Sequence, residues 1–309
     1  MMLFLLAAVP TLFWGGAPDT APSVRDAGFQ HIAVPAAKLD AWKAVTGLTV
    51  EAADPAKALK LEAPTVEYRA DQASASRAPW LTSNGWQFIR QPQGQFYYET
   101  KGVGSGIAAA EAFSWGAKAW ISTDAAGLKP LAQMLEFLRG VSAQDLTPVA
   151  DIGFIDDGTD VTGEVMNLML RHNLLFKVVK APDSKMKLNV RIGTKDYPAD
   201  QAQDPGAMTQ IIRGNLTDEK RSLRVYGSPV VIARLTESGG KARVQLLNYS
   251  GASRKIDGLR VRVLGAFPKH QTSIMGSPGA ELLDYTVDGG ATEFTLPELK
   301  TFAVIDLSR

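Results

Sequence analysis

The sequence predicts a protein that combines α/β units with an all-β unit. Two observations predict this fold class. Strand-like runs alternate with helix-like runs through the first two thirds of the chain, as in an α/β layer or part of a (β/α) barrel. Over residues 229–309, strand-like runs are separated by glycine-rich turns, as in an antiparallel β-sandwich. With 309 residues and 45% hydrophobic side chains, the chain has room for two or three domains, and its turns favour three.

The amino terminus opens with an apolar run from Leu3 to Trp14, which small and polar residues follow. As a helix, this run would span about 18 Å, well short of a ~30 Å hydrocarbon core. Its length suits a signal peptide, and Gly15 and Ala17 are small enough for the −3 and −1 positions of a cleavage site. We therefore predict a signal peptide at residues 1–22 and a secreted or periplasmic protein. Because no Lys or Arg precedes the run, a starting strand or an uncleaved tail stays open as the alternative.

The first α/β unit is predicted at residues 28–145. Its predicted strands are 29–34, 48–54, 59–71, 86–90, 95–99 and 117–123. Its predicted helices are 38–47, 107–116 and 128–140. The last two helices end at glycine, a residue that commonly terminates helices.

A smaller α/β unit is predicted at residues 146–228. A strand over 149–157 precedes a helix over 161–176, in which Val165, Leu168, Met169 and His172 recur at helical spacing. Strands are predicted at 177–183 and 186–193, and the polar stretch 194–228 contains two short helical stretches at most.

The β-sandwich is predicted at residues 229–309. Its strand-like runs are 229–237, 242–250, 259–267, 280–287, 291–297 and 300–307. In the third run, apolar residues alternate with Arg260 and Arg262, as in a sheet with one buried and one solvated face.

The last unit resembles the carboxy-terminal β-sandwich of many bacterial glycoside hydrolases. The resemblance rests on ARVQLLNYS (242–250), LRVRVLGAF (259–267) and ATEFTLPELKTFAVIDL (291–307). The middle unit, through its strand–helix–strand run from DIGFIDD to LLFKVVKAPD (151–183), is similar to the glutamine-amidotransferase-like, flavodoxin-like domain of family 42 β-galactosidases. In that family, the domain follows a catalytic (β/α)₈ barrel and precedes the sandwich, which is the order found here.

The resemblance implies a barrel-like unit at residues 28–145, but an incomplete one. A full (β/α)₈ barrel takes roughly 250 residues, more than this unit provides. No motif places the family's two catalytic carboxylates on this chain, so none is transferred. The related domain serves oligomer contacts, which implies a homo-oligomer, and glutaminase chemistry is excluded because the chain has no cysteine.

Composition excludes several other classes of function. Thirty-three basic and 32 acidic side chains leave a net charge of +1, so we expect no nucleic acid partner and no membrane partner. The lack of cysteine excludes thiol nucleophiles and disulfides, and we predict neither a cofactor nor a metal site. Within the chain, a core position explains His172 better than a ligand role. The basic run at 219–224 is interpreted as a solvated face or as inter-domain ion pairs.

Three carboxylates are the candidate catalytic residues. Glycoside hydrolysis needs a pair of carboxyl groups. Glu99 and Asp124 follow predicted parallel strands, whose carboxyl ends carry the sites of such folds, and Glu111 lies in an alanine-rich helix. The alternative is that all three are solvated acids or helix caps.

A segment rich in aromatic residues is the candidate substrate-binding group. It contains Trp80, Asn84, Trp86, Arg90, Tyr97 and Tyr98. Aromatic faces stack on sugar rings, and planar amide and guanidinium groups bond hydroxyls. The alternative is that these side chains form alternating faces of core strands.

Two acid- or glycine-rich segments are assigned structural roles. The acids Asp156, Asp157 and Asp160 lack the spacing of a calcium loop and are better explained by a strand-to-helix turn with an Asp or Thr cap. The glycines at 102–106 lack a phosphate-binding pattern. We therefore predict an exported, glycoside hydrolase-like protein that acts on or binds a carbohydrate. The alternative is a non-catalytic binding or assembly module.

Overall fold

The structure, a computed structural model, describes residues 9–68 and 79–309. Its strands are β1 Thr11–Phe13, β2 His31–Pro35, β3 Thr49–Ala53, β4 Leu59–Leu61, β5 Thr65–Glu67, β6 Trp80–Thr82, β7 Gln95–Glu99, β8 Lys118–Ser122, β9 Thr147–Pro148, β10 Ile152–Ile155, β11 Phe176–Val179, β12 Leu188–Arg191, β13 Leu223–Tyr226, β14 Val231–Ser238, β15 Lys241–Asn248, β16 Ile256–Leu264, β17 Lys269–Ile274, β18 Leu283–Asp288, β19 Ala291–Leu299 and β20 Phe302–Ser308. Its α-helices are α1 Ala21–Asp26, α2 Leu39–Lys43, α3 Gly85–Arg90, α4 Gly104–Trp115, α5 Ala125–Gly140, α6 Asp160–Arg171 and α7 Pro205–Leu216.

The chain divides into two compact units. Unit 1 comprises the described residues of Met1–Thr65 and Gln91–Ala143, and unit 2 those of Val66–Arg90 and Gln144–Arg309. The predicted combination of α/β and all-β structure is confirmed, because one sheet of the chain is parallel throughout and others are antiparallel.

Unit 1 contains a parallel sheet with the strand order β3-β2-β1-β8-β7-β4. Strands of this sheet that follow one another along the chain are neighbours, with the exception of β3 and β4. The last of them, β8, pairs with the first, β1. The edge strands of this sheet are therefore β3 and β4.

Strand β1 lies in the interior of that sheet. It pairs with β2 on one side and β8 on the other, and Leu12 is fully buried. For Thr11–Phe13 the structure therefore shows a starting strand, one of the alternatives that the sequence left open. Residues 1–8, which include most of the apolar run, lie outside the described residues, as do residues 69–78.

The two long helices of unit 1 form where the sequence predicts them. Helix α4 is alanine-rich and buried along almost its whole length, and it ends at Gly116 with φ 64°. A left-handed residue of this kind is the usual glycine C-cap. Helix α5 begins at Asp124, whose carboxylate accepts a hydrogen bond from the backbone N–H of Gly127.

Unit 2 includes a three-stranded parallel sheet in the order β11-β10-β12, together with helices α6 and α7. Thr159 caps α6 by accepting from the N–H of Thr162, as the cap interpretation of this acidic turn predicts. The polar stretch after β12 contains a twelve-residue helix, α7, capped by Asp204. The prediction of only short helical stretches there was wrong, because this cap and a buried stripe that includes Met208 and Ile212 stabilise a full helix.

One predicted strand of the aromatic segment is a helix. Residues 86–90 form most of α3, which starts at Gly85 and buries Phe88. Trp86 packs against α6 at Gly163, where a Cβ atom would lie 3.0 Å from the indole ring. The strand prediction was wrong because aromatic and β-branched residues favour strands only weakly, and packing overrides this preference.

The rest of unit 2 is a β-sandwich. Its sheets have the orders β13-β16-β19-β18 and β17-β20-β15-β14-β9. The six predicted runs are all strands, and β9, β13 and β17 were not predicted. The core is formed by inward-facing apolar residues such as Leu235, Val244, Val261, Phe294 and Ile305.

The hairpin between β14 and β15 has a two-residue turn. Ser238 pairs with Lys241, and Gly239 and Gly240 both have positive φ, as a type I′ turn requires. No helix within the described ranges is long and apolar enough to cross a membrane.

Candidate functional site

A pocket of about 410 Å³ lies in unit 2. Its walls come from β6, the end of α6, helix α7, strand β13 and the loop before β14. The lining residues are Pro79, Trp80, Leu168, Arg171, His172, Asn173, Arg213, Arg221, Arg224, Val225, Tyr226, Ser228 and Pro229. This volume lies within the range of small-molecule sites.

The end of helix α6 forms one wall because Asn173 fixes it to the sandwich. Asn173 has a left-handed backbone (φ 55°), which terminates the helix. Its buried side chain donates to the carbonyl of Val231 (3.0 Å) and accepts from the N–H of Ala233 (2.7 Å). Arg171 and His172, directly before it, are thereby held at the pocket.

Three arginines of the pocket share one carboxylate. Asp218 accepts two hydrogen bonds from Arg213, at 3.2 and 2.8 Å, and one from Arg221 at 3.1 Å. Arg224 lies 3.9 Å from the same carboxylate. Asp218 itself is not a lining residue. One negative charge therefore offsets three positive ones.

Arg221 is the most buried of these arginines, with 5% of its surface exposed. Its Nη2 atom donates to the carbonyls of His172 and Asn173, at 3.0 and 3.1 Å. These bonds satisfy carbonyl groups at the end of α6 that helix geometry leaves without partners. The residue therefore joins the helix end to the Asp218 carboxylate.

At the pocket, an arginine guanidinium lies over each of two aromatic rings. The guanidinium of Arg171 lies 4.5 Å from the ring centre of Trp80, and that of Arg224 lies 5.0 Å from Tyr226. Trp80 and Tyr226 each remain 38% exposed. Such cation–π pairs hold guanidinium groups in place at an open surface.

Strand alternation places Arg224 and Tyr226 together. Leu223 is buried in the core of the sandwich, and Val225 packs against that core. Because successive side chains of a strand point to opposite faces, Arg224 and Tyr226 share the other face of β13.

The pKa values of the site reflect its positive charge. Burial, reinforced by Arg213, Arg171 and Arg221, lowers the pKa of His172 below its usual value of 6.5. Hydrogen bonding from Arg213, and to a lesser degree from Arg221, holds the pKa of Asp218 well below its ordinary range. At neutral pH the site thus has a neutral imidazole, an ionised carboxylate and four guanidinium groups.

Chemically, the pocket offers hydrogen-bond donors, positive charge and two aromatic faces. None of the described residues that line it carries a carboxylate. The arrangement is suited to binding.

The three carboxylates predicted to be catalytic all lie in unit 1. Glu99 ends β7, with more than half of its side chain exposed, and it pairs with Lys60 at 2.5 Å. Glu111 is fully buried in α4 and accepts a hydrogen bond from the hydroxyl of Tyr98 at 2.6 Å. Asp124 accepts from the N–H groups of Gly102 and Gly127, each at 2.9 Å.

The predicted substrate-binding residues have different environments. Of these, Trp80 alone lines the pocket. In unit 2, Asn84 is buried and Trp86 packs against α6. In unit 1, Tyr97 and Tyr98 are buried, and the Tyr97 hydroxyl donates to Ser122 at 2.9 Å.

Arg90 is engaged in a structural network in unit 2. It makes two 2.8 Å hydrogen bonds to Asp156. It also donates to the backbone carbonyl of Thr159 and to the hydroxyl of Thr162. The two ion-paired side chains are 15% and 8% exposed. No cluster of potential metal ligands occurs in residues 9–68 and 79–309.

Sequence reasoning missed the arginines that dominate the pocket. Arg213 and Tyr226 lie outside the motifs that the sequence singled out, Arg171 was only part of a predicted helix, and Arg221 and Arg224 belong to the basic run at 219–224. In that run Leu223 stands between the two arginines and indicates a partly buried segment, but burial of Arg221 is a tertiary property.

Comparison with solved structures identifies the fold. The chain is similar to α-L-fucosidase isoenzyme 2 from Paenibacillus thiaminolyticus, with a TM-score of 0.56 and 10% identity over 87% of this chain and 70% of that one. The fold is glycoside hydrolase-like. No protein-family model matches the sequence, and no curated protein is significantly similar to it.

Two further solved structures are more distant. A rhamnosidase from Novosphingobium sp. PP1Y has a TM-score of 0.44 and 12% identity over 70% of this chain and 31% of that one. A family 42 β-galactosidase from G. stearothermophilus has a TM-score of 0.41 and 6% identity over 85% and 64%, respectively. The chain spans less than two thirds of either enzyme.

Proposed function

We propose that this protein binds a glycan in the pocket of unit 2 without hydrolysing it. The observation that carries the proposal is the half-exposed indole of Trp80 at the mouth of a pocket in a glycoside hydrolase-like chain. The fucosidase named above acts on carbohydrate by its name, and an exposed aromatic ring beside hydrogen-bond donors is suited to the apolar face and hydroxyl groups of a sugar.

The environments of the predicted carboxylates favour binding over catalysis. A glycosidase needs two carboxyl groups that reach the same glycosidic bond, about 5–5.5 Å apart for retention or 6.5–9.5 Å for inversion. Glu111 has no solvent-exposed surface. Asp124 uses its carboxylate to cap α5 and to bind Gly102. Glu99 and Asp124 are both exposed, and Glu99 pairs with Lys60.

Hydrolysis centred on Glu99 is the second candidate function. Glu99 lies at the carboxyl end of a parallel strand, the edge at which barrel enzymes keep their sites. The strand order of unit 1 supports an incomplete (β/α) barrel, open between β3 and β4. Release of nitrophenol from aryl-glycosides by the wild type, lost in Glu99→Gln, would favour this candidate and contradict a purely binding role.

Glycan binding is tested by an array of neutral and acidic oligosaccharides. We expect the wild-type protein to retain at least one glycan and Trp80→Ala to lose about ten-fold in affinity for it, since an aromatic contact contributes about 0.5–1.5 kcal/mol. Tyr68→Ala is the matched control, because Tyr68 is an exposed aromatic residue of the same unit outside the pocket. Failure of the wild type to bind any glycan would contradict the proposal.

We also propose that the protein is exported and that it associates with itself. Secretion or a periplasmic location is supported by the apolar amino-terminal run, which we propose to be retained uncleaved because Thr11–Phe13 form β1. A homo-oligomer is supported by the resemblance of the middle segment to an oligomer-forming domain. Cell fractionation and sedimentation of the purified protein test these two points separately.

A further inference from the structure

We propose that the pocket of unit 2 holds an oligosaccharide of two or more units, with one sugar ring against Trp80 and another against Tyr226. This inference rests on the proposed glycan-binding function and adds the length of the glycan and a second contact for it. Three properties of the pocket support it: two exposed aromatic rings on separate elements, a fixed position for each ring, and room for more than one sugar.

The two aromatic rings belong to different walls of the pocket. Trp80 is the first residue of β6, and Tyr226 is the last residue of β13. Both line the pocket, and each is 38% exposed. Tryptophan and tyrosine combine an apolar face with a polar group, and the face covers the C–H groups on one side of a sugar ring. Two such rings in one pocket therefore offer two positions for a sugar.

Each aromatic ring is held in place by a guanidinium group of its own. The guanidinium of Arg171, the last residue of α6, lies 4.5 Å from the ring centre of Trp80. That of Arg224, on the same strand as Tyr226, lies 5.0 Å from the phenol ring. Rings that are held in place before the ligand arrives lose less freedom on binding. The arrangement therefore suits a ligand with two rigid rings joined by a glycosidic bond.

The polar groups of the pocket suit the hydroxyl groups of a neutral glycan. Arginine and indole groups only donate hydrogen bonds, whereas a hydroxyl group also donates and therefore needs an acceptor. His172 lines the pocket, and burial together with nearby arginines lowers its pKa. Its neutral imidazole has one nitrogen that accepts, and the hydroxyl of Tyr226 also accepts. The pocket can thus both donate to and accept from a sugar.

The pocket is also larger than a single sugar requires. Its volume of about 410 Å³ lies in the range of sites that hold drug-sized ligands. A monosaccharide is smaller than such ligands, so one sugar at Trp80 would leave the part of the pocket at Tyr226 unfilled. A second unit fills that part.

The test is calorimetric titration with neutral oligosaccharides of increasing length. The probes are gluco-, xylo-, manno- and galacto-oligosaccharides of one to six units, because in an uncharged series any gain with length comes from contacts of the added units. In at least one series, we expect the affinity to rise about ten-fold between the monosaccharide and the first oligosaccharide that reaches both rings. The affinity should then level off.

Variants of the two rings identify the second contact. Tyr226→Ala should weaken binding of the longest oligosaccharide about five-fold or more and leave that of the monosaccharide unchanged, because the ring of Trp80 is retained. Tyr226→Phe keeps the aromatic face and should keep most of the gain with length. Trp80→Ala should weaken binding at every length. Tyr68→Ala, at an exposed aromatic residue outside the pocket, is the matched control.

The possible outcomes separate this inference from the proposed function. Equal affinity at every length, or a monosaccharide weakened equally by Trp80→Ala and Tyr226→Ala, would mean that one sugar occupies the pocket, and would overturn the inference while glycan binding stands. A gain with length that survives Tyr226→Ala would overturn the role of Tyr226. Absence of binding by all four series, with other glycans retained on the array, would overturn the inference alone, whereas an array without any bound glycan would overturn the proposed function as well. Circular dichroism of each variant shows whether a loss of binding reflects misfolding.

Discussion

Arg90 and Asp156 are joined by two parallel hydrogen bonds of 2.8 Å, and both side chains are largely buried. The pair connects the end of α3 to the turn before α6, and the same guanidinium also binds Thr159 and Thr162 in that turn. An arginine that the sequence singled out for sugar hydroxyls thus has its Nε and Nη2 donors engaged within unit 2.

Removing this guanidinium should destabilise unit 2. Arg90→Ala leaves Asp156 as a buried charge without its partner, so we expect a loss of about 3 kcal/mol in the free energy of unfolding. Arg90→Lys keeps the charge but not the two-point geometry and should lose less. Urea denaturation measures both, with Arg139→Gln as the control. An Arg90→Ala protein of normal stability that had lost glycan binding would instead support the recognition role.

Tyr98 and Glu111 form a buried hydrogen bond of 2.6 Å in unit 1. Tyr98→Phe removes the donor from a buried acceptor and should lower the stability by about 1–3 kcal/mol. Glu111→Gln, which keeps the shape, should cost stability by a similar amount without an effect specific to catalysis. Thermal unfolding and aryl-glycoside assays are the measurements. Normal stability combined with loss of hydrolysis in Glu111→Gln would make Glu111 a catalytic residue.

Strand β1 should be essential to unit 1. Leu12 is fully buried in a strand that pairs on both sides, so Leu12→Ala should cost about 3 kcal/mol. Deletion of residues 1–17 removes the strand between β2 and β8 and should prevent unit 1 from folding. Limited proteolysis followed by mass spectrometry locates the unfolded unit. If the mature protein from cells begins at residue 18 and is resistant to protease throughout, this prediction is wrong.

Local patterns in the sequence were sufficient to predict most elements. The glycine that ends α4, the cap of α6 and the alternation in β16 each reflect interactions within a few residues. The helix at 86–90 could not be predicted in this way, because Trp86 is placed by its contact with Gly163, far away in the sequence.

The candidate pocket could not be predicted from local patterns either, because tertiary contacts bring its residues together. Arg171 is far from Arg213 and Arg224 in the sequence, and the three meet because α6, α7 and β13 converge. The short side chain of Asn173 decides where α6 ends, through its hydrogen bonds to β14. A single sequence shows each of these residues but not their convergence. Trp80 was among the candidates that the sequence named, but its exposure is known only from the structure.

His172 should make the stability depend on pH between its folded pKa and its usual value of 6.5. Its pKa is lowered in the folded protein by burial and by Arg213, Arg171 and Arg221. In this window the unfolded chain binds more protons than the folded one, so the free energy of unfolding falls as the pH decreases and is fully recovered above about 6.5. His172→Gln should flatten this dependence, whereas His270→Gln, at an exposed position, is the control. Urea denaturation across pH 5–8 measures the effect.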